Sequence, residues 1–448
     1  MSGRGPLHLL SAVEAASLVR EGAIRAEELV AACLARIREL EPTVQAWAFL
    51  DPDHALAQAR AADRRRRAGQ PLGPLHGVPV GVKDILDTCD MPTENGSPLH
   101  AGRRPAADAT VVSRLRAAGA VILGKTVTTE FAYYTPGKTR NPRDPERTPG
   151  GSSSGSAAAV AAGMVPLALG TQTNGSVIRP AAFCGVVGFK PGHGLIPRHG
   201  ILPLSRTLDQ VGVFARTLED VALLTEELVA FDERDPDSRP RARIAFREVL
   251  AAEPPVPPRL GFVRTPRWDR MAPDAAAAFE ALRAALGDRV EEVAPRAELG
   301  EAFEWHRVIM EAEMAANLDR EWAQGRDRLS PALRGLLERG RALPALEYQR
   351  ALAGALALGA GFAELFRTRY DALLTPATPG TAPRGLGSTG DPSFCTLWTL
   401  CGLPAVTLPL LHGADGLPLG VQLVGAREAD APLLRTARWL AARLGAAG

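Results

Sequence analysis

Apolar and polar positions alternate along this chain in blocks of two different periods. Over 11–40 the apolar residues recur at helical spacing behind a Ser11/Glu14 capping-box pattern, which predicts a helix. A second helix is predicted over 55–67, closing on the run Arg64–Arg67, which reads as a solvated helix end. The turn-rich segment 71–82 (PLGPLHGVPVGV) leads into a short apolar strand with Lys83 and Asp84 at its end. Helix 110–118 and buried strand 120–123 follow, and the alternation of strand and helix continues to Leu228. Such alternation predicts an α/β fold in layers.

Segment 231–258 breaks the pattern. It is rich in Asp, Arg and Pro and reads as an exposed connection. Beyond it RLGFV, a helix at 273–286 and RVEEV form another strand–helix–strand unit, and helices dominate 301–369. A strand at 370–376 precedes a Gly/Pro loop (376–392), strands at 405–411 and 419–424, and a closing helix at 432–444.

One stretch departs from all of this. Residues 150–194 hold two clusters of glycine and small hydroxyl residues, 150–156 (GGSSSGS) and 171–176 (TQTNGS), joined by an uncharged Ala/Val/Leu run. Glycine clusters let a backbone approach a ligand closely, so serines inside them are candidates for chemistry.

Composition narrows the choices. The 448 residues are 46% hydrophobic and 23% charged, with a net charge of +2, so no electrostatic footprint for nucleic acid or an anionic membrane is present. Five cysteines without paired spacing argue against a disulfide framework or zinc site. The N-terminal segment lacks a leader pattern and no run is read as spanning a bilayer, so the expected location is the cytoplasm. Only four basic residues are lysine (Lys83, Lys125, Lys138 and Lys190) in a chain with 52 Lys and Arg. Arginine stays protonated in proteins, whereas a buried lysine can lose its proton. Each lysine is therefore a candidate base.

Two short patterns invite other readings. GAVILGKT (119–126) matches a phosphate-binding P-loop, but its apolar interior is itself a strand, which leaves Lys125 a structural role. GSSSG (151–155) matches a nucleophile elbow centred on Ser153, yet a Pro/Arg loop precedes it where a strand is required, and none of His193, His199, His306 or His412 stands out as its partner. Asn95-Gly-Ser and Asn174-Gly-Ser match glycosylation acceptors that a cytoplasmic protein does not use. The remaining constellation joins Lys83, the 150–156 loop and Ser176. A serine hydroxyl needs an adjacent base, and lysine serves only when burial keeps it neutral. The backbone of 173–176, ahead of an apparent helix at 176–183, would present N–H groups to a developing oxyanion.

With these residues in view the chain resembles the amidase signature family of serine hydrolases. The likeness runs over nearly the whole length and is strongest at GPLHGVPVGVKDILDT (73–88), DATVVSRLRAAGAVILGKTVTTEFA (108–132), the 150–194 stretch, and GLPAVTLPL with GLPLGVQLVG (402–410, 416–425). The resemblance implies one domain over 1–448, built on a large mixed sheet with helices on both faces. Its core motif region is 73–228, and its variable, substrate-lining helical region is about 301–369. It also implies a Ser–cisSer–Lys triad with Lys83 as base, Ser152 as relay carrying a cis peptide, and Ser176 as nucleophile. Ser153 supports this network, Thr173, Asn174 and Gly175 form the oxyanion hole, and no metal or cofactor is required.

The chain departs from the family at one place. Many members read TDTGGSIR where this chain has TQTNGSVIR, so Gln172 replaces an acid and the arginine moves one place along to Arg179. On a helix that shift turns the side chain to another direction.

The implied activity is hydrolysis of a small aryl or alkyl carboxamide. Carbamate, urea and ester hydrolysis share its chemistry, and the glutaminase subunit of a tRNA-dependent amidotransferase belongs to the same family. The expected pocket draws on Phe131, Tyr133, Tyr134, Ile196, Trp305 and Trp398, aromatics and one aliphatic that core packing would also explain. The expected partner is a small-molecule amide or carbamate, without nucleic acid or membrane, and with a homodimer left open.

Overall fold

The computed structural model describes residues 5–294 and 298–445. Eleven strands form one mixed sheet: β1 (Trp47–Leu50), β2 (Pro79–Lys83), β3 (Val121–Thr126), β4 (Leu167–Gln172), β5 (Val187–Lys190), β6 (Gln210–Ala215), β7 (Leu260–Phe262), β8 (Val290–Glu292), β9 (Ala372–Pro376), β10 (Ala405–His412) and β11 (Pro418–Val424). Their order is β1-β3-β2-β4-β6-β5-β10-β11-β9-β7-β8. Strands β3, β2 and β4 run parallel, as do β8, β7 and β9, and antiparallel pairs join these two blocks through the middle.

Fifteen helices cover the two faces of this sheet. The first seven are α1 (Ala12–Glu21), α2 (Ala26–Val44), α3 (Pro52–Arg67), α4 (Thr110–Ala117), α5 (Ser154–Ala161), α6 (Ile178–Cys184) and α7 (Leu218–Leu228). The rest are α8 (Phe246–Ala251), α9 (Pro273–Leu286), α10 (Glu298–Asn317), α11 (Asp319–Gly325), α12 (Pro331–Ala342), α13 (Ala345–Thr368), α14 (Ser393–Leu400) and α15 (Asp430–Arg443). Every residue of β2, β3, β4 and β6 is buried. That is why these strands read as continuous apolar runs rather than alternating ones.

Four sequence expectations change. The single helix over 11–40 is two, because Gly22 closes α1 in the left-handed region (φ 75°) and Asp63 of α3 caps α2 by accepting from the Ala26 and Glu27 amides. The 231–258 connection is not wholly exposed: α8 lies within it, with Phe246 and Leu250 buried and Arg243 and Arg247 paired to Glu226. The helix expected from Ser176 starts two residues later, at Ile178. Finally, α13 is long and apolar enough by length and composition to cross a bilayer. Its inner face, Ala351, Ala355, Leu358 and Phe362, is packed into this fold.

The GAVILGKT segment is strand through Thr126, so no phosphate-cradling turn exists there. Lys125 is fully buried and donates to Leu86 O, Pro92 O and Thr93 Oγ1, with the Asp84 carboxylate at 3.4 Å.

The serine cluster is pressed against the sheet at one glycine. A side chain on Gly155 would begin 2.2 Å from Ala46 O and 2.4 Å from Val127 N, both backbone atoms that cannot swing aside. We expect Gly155→Ala to destabilise the fold by about 1–3 kcal/mol, read as a lower midpoint in denaturant unfolding. An unchanged midpoint would show that α5 can lift away from the sheet.

Candidate active site

Lys83 ends β2 at the centre of the parallel block, where the strand before it is buried on both faces. Its side chain is 0% exposed, and Nζ donates to Ser152 Oγ at 2.7 Å and to Thr171 Oγ1 at 2.9 Å. Burial drives its pKa well below the usual 10.5, opposed by the charge of Asp209. Asp209 is half-buried, and its desolvation raises its pKa; it accepts from Thr173 Oγ1 at 2.7 Å and from the Leu204 and Ser205 amides.

Two other lysines are equally buried. Lys125 is lowered to about 8 and Lys190 to about 7, both chiefly by burial. Lys190 donates to Gln210 Oε1 and Leu403 O. Neither meets a serine. Lys83 is the lysine that does.

The serines divide as cleanly. Ser153 Oγ donates to Thr171 O, Ser154 Oγ to Gly150 O and Ser156 Oγ to Leu169 O, so each is tied to backbone around the start of α5. Ser152 is the member of the cluster whose hydroxyl faces the lysine, and the Gly151–Ser152 peptide is cis. The elbow reading of Ser153 therefore has no free hydroxyl to work with.

Ser176 lies in the turn between β4 and α6, and its Oγ makes no hydrogen bond among the described residues. The turn is held against the serine loop. Gly150 packs on Pro180, whose Cα lies 2.8 Å from where a side chain would begin, and Arg179 Nη2 donates to Gly151 O at 2.7 Å.

The backbone of this turn is sorted by polarity. His306 Nε2 donates to Thr173 O at 2.9 Å, Thr399 Oγ1 to Asn174 O, and the Arg179 amide to Gly175 O. His306 is held neutral by burial, its pKa lowered to about 4. All three carbonyls are thus occupied, while the amides of Asn174, Gly175 and Ser176 donate to no protein acceptor among the described residues. Unused N–H groups in a row are what a site for negative charge requires.

The TQTNGSVIR departure has a structural answer. Gln172 Oε1 accepts from the Val177 and Ile178 amides at 2.8 and 3.0 Å, doing the capping of an acid without its charge, and its Nε2 donates to Thr399 Oγ1. Arg179 is 1% exposed and pairs with no carboxylate among the described residues. It bridges two carbonyls instead, Gly151 O and Gly390 O.

Asn174 stands where the family has glycine. Its Nδ2 donates to Tyr134 OH at 2.9 Å and its Oδ1 accepts from Thr396 Oγ1 at 2.7 Å, so it is a fixed wall. A cavity of about 180 Å³ reaches Thr171, Thr173 and Asp209. Another of about 450 Å³ is lined by Tyr134, Thr135, Ala332, Thr389, Gly390 and Pro392, and carries no charged side chain. Thr389 of that cavity lies against Gly151.

Of the residues expected to line a pocket, Tyr134 does so, with Tyr133 stacked on it at 4.5 Å between ring centroids. Phe131 and Trp398 belong to the core instead. Both are 0% exposed, Phe131 edge-on to His100 and Trp398 against Phe362. Ile196 is buried too, and Trp305 packs under Gly354 of α13. Sequence reasoning missed Asp209, Thr396 and Thr399, which touch the site through hydrogen bonds and have no motif of their own, gave Thr171 no separate role within the 171–176 cluster, and weighed His306 only as a partner for Ser153. The acid and thiol group Cys89, Asp90 and Asp108 is close enough to hold a cation, but Arg116 already pairs with both carboxylates.

A family model described as Amidase matches residues 28–434. The chain is 40% identical to a glutamyl-tRNA(Gln) amidotransferase subunit of Symbiobacterium thermophilum, covering 96% of each, and 38% identical to the corresponding subunit of Chloroflexus aggregans, covering 96% of this chain and 95% of the relative. Among solved structures it matches peptide amidase from Stenotrophomonas maltophilia (TM-score 0.86, 31% identity, 99% of this chain and 98% of that one). It also matches 6-aminohexanoate cyclic dimer hydrolase (TM-score 0.88, 26% identity, 98% of each).

Burial of Lys83 has a consequence for stability. The unfolded chain protonates this lysine below about 10.5, whereas the folded chain does so only below its lowered pKa. Between the two the unfolded state binds the extra proton, so this group's contribution to stability rises with pH and is fully regained above the unfolded value. We expect Lys83→Met to raise Tm at neutral pH, with the gain over the parent shrinking as pH approaches 10.5. A gain independent of pH in thermal melts would contradict a neutral Lys83.

Proposed function

The chain belongs to the amidase family and is an enzyme acting on carbon–nitrogen bonds, and from that premise we propose that it hydrolyses a small, uncharged carboxamide through an acyl-enzyme on Ser176. The observation that carries this reading is the fully buried Lys83 Nζ, 2.7 Å from Ser152 Oγ.

Ser176 Oγ attacks the amide carbon while its proton passes to Ser152 Oγ, whose own proton passes to neutral Lys83 Nζ. The carbonyl oxygen, now negative, meets the unused amides of Asn174, Gly175 and Ser176. Collapse of this intermediate breaks the C–N bond, and the relay returns the proton to the departing amine. Water then attacks the ester carbon by the same relay in reverse, releasing the acid and restoring Ser176. Ser153, through Thr171, fixes the start of α5 and with it the aim of Ser152.

The cavity beside Tyr134 and Thr389 supports an uncharged substrate. Free glutamine is a zwitterion, and desolvating its ammonium and carboxylate there without counter-charges is costly. Carbamates and ureas meet the same neutral surroundings and extend the substrate range. A second reading, the glutamine-hydrolysing subunit of an assembly acting on tRNA, is favoured by identity of 38–40% to relatives of that name.

A substrate panel separates these readings, and active-site variants test the mechanism they share. In a panel of aliphatic amides, anilides, carbamates, ureas and glutamine, we expect turnover of neutral amides. Glutamine as sole substrate would replace the first reading with the second. Ser176→Ala and Lys83→Ala should each lower kcat by at least about 10⁴-fold, and Lys83→Arg should be as inactive because arginine cannot serve as base. Full activity of Ser176→Ala would refute the acyl-enzyme. Because neutral Lys83 is the working form, kcat/KM should rise with pH through its lowered pKa, and this acid limb should report the free enzyme.

A further inference from the structure

Helix α13 turns an unusual face to solvent. Its 24 residues span about 36 Å, and the stretch 351–363 carries no charge at all. The inner positions Ala351, Ala355, Leu358 and Phe362 are buried. On the opposite side Leu346, Ala353, Leu356, Ala360 and Ala363 are exposed, Leu356 at 73% and Leu346 at 59%. A surface helix of a monomer shows water its charges. This one shows leucine and alanine.

The outward residues are also spaced as an interface. Leu346, Ala353 and Ala360 fall seven apart, with Leu356 and Ala363 three residues after the last two, so the exposed stripe is a heptad seam. Alanines along such a seam let two helix backbones approach closely. Charge flanks the alanine-rich part of the seam, residues 353–363, symmetrically about Ala357, with Arg350 seven residues before it and Glu364 seven after. If two copies of the seam run antiparallel about a two-fold axis at Ala357, each Arg350 lies opposite the Glu364 of the other copy. The same surface then serves both partners, as an isologous contact requires. Within one chain Glu364 pairs with Arg367 at 2.7 Å, but both side chains are over half exposed, so the pair is weak and free to exchange.

We propose that the outer face of α13 is the contact through which this protein pairs with a second copy of itself, as an antiparallel two-fold helix pair centred on Ala357. Self-complementary charge favours this occupant over a lipid surface. A lipid-binding face would carry large apolar side chains flanked by basic residues, whereas this one carries mostly methyl groups and ends in both signs of charge. The proposal does not depend on how the catalytic site is read.

Sedimentation velocity of the full chain at micromolar concentrations tests it, with amide hydrolysis or thermal melting as the check of folding. We expect a dimer in the parent. Leu356→Glu should weaken it by about tenfold or more through like charges brought face to face beside the axis. Arg350→Glu should weaken it as well, and Arg350→Glu with Glu364→Arg should restore it, an exchange that a merely structural effect would not reverse. Ala357→Cys, in a Cys89→Ser background, should form a disulfide-linked dimer on mild oxidation. Ala353→Cys should not, since its two copies would stand about 12 Å apart along the axis. A monomeric parent, or a dimer indifferent to Leu356→Glu, overturns the proposal. A monomer that floats with phosphatidylcholine vesicles and loses that property in Leu356→Glu overturns it in favour of a lipid surface.

Discussion

The interaction on which the rest depends is the burial of one amine. Lysine is the most water-seeking of the common bases, and holding it neutral requires removing it from water altogether. The sheet does this by ending β2, covered on both faces, at Lys83 and placing hydroxyls from β4 and the serine loop as its neighbours. Much of the architecture follows from that placement. The parallel block β3-β2-β4 makes the dry floor, α5 packs its glycine onto the backbone beside β1 and β3 to bring Ser152 down, and the turn after β4 carries Ser176 to the same edge.

Asp209 sharpens this account. A carboxylate near Lys83 would by itself favour the charged lysine, and it is the force that opposes burial here. The fold weakens that opposition by partly desolvating Asp209 as well, which raises its own pKa, and by directing its oxygens to Thr173 and two amides rather than to the amine. Base and acid are thus near enough to feel one another, while neither is the other's hydrogen-bond partner.

Legibility in the sequence follows the range of the interactions. Strands buried on both faces are readable as apolar runs, and the scarcity of lysine singles out residues of which three are fully buried. The serine that meets Lys83 is not separable from its neighbours by pattern alone. GSSSGS offers several hydroxyls, and only the geometry of α5 commits Ser153, Ser154 and Ser156 to backbone. The groups that orient the 173–176 turn come from positions 306 and 399, more than a hundred residues away, and carry no local signature. Aromatic residues mislead most. Their rarity in this chain points Phe131 and Trp398 toward a pocket, and both fill the core.

Arg179 joins two parts of the protein that are usually discussed separately. One arm of its guanidinium holds the carbonyl beside the relay serine, and the other holds Gly390 in the wall of the uncharged cavity. A mutation that reshapes the 387–392 loop to admit a different molecule therefore tugs on the proton relay through a rigid planar link. On the proposed reading of the relay and the cavity, substrate range and turnover are not independent traits. Adaptation to a new compound would proceed through coupled changes in loop and relay, or through the opposite wall at Tyr134, whose hydroxyl is itself held by Asn174 of the turn that carries Ser176.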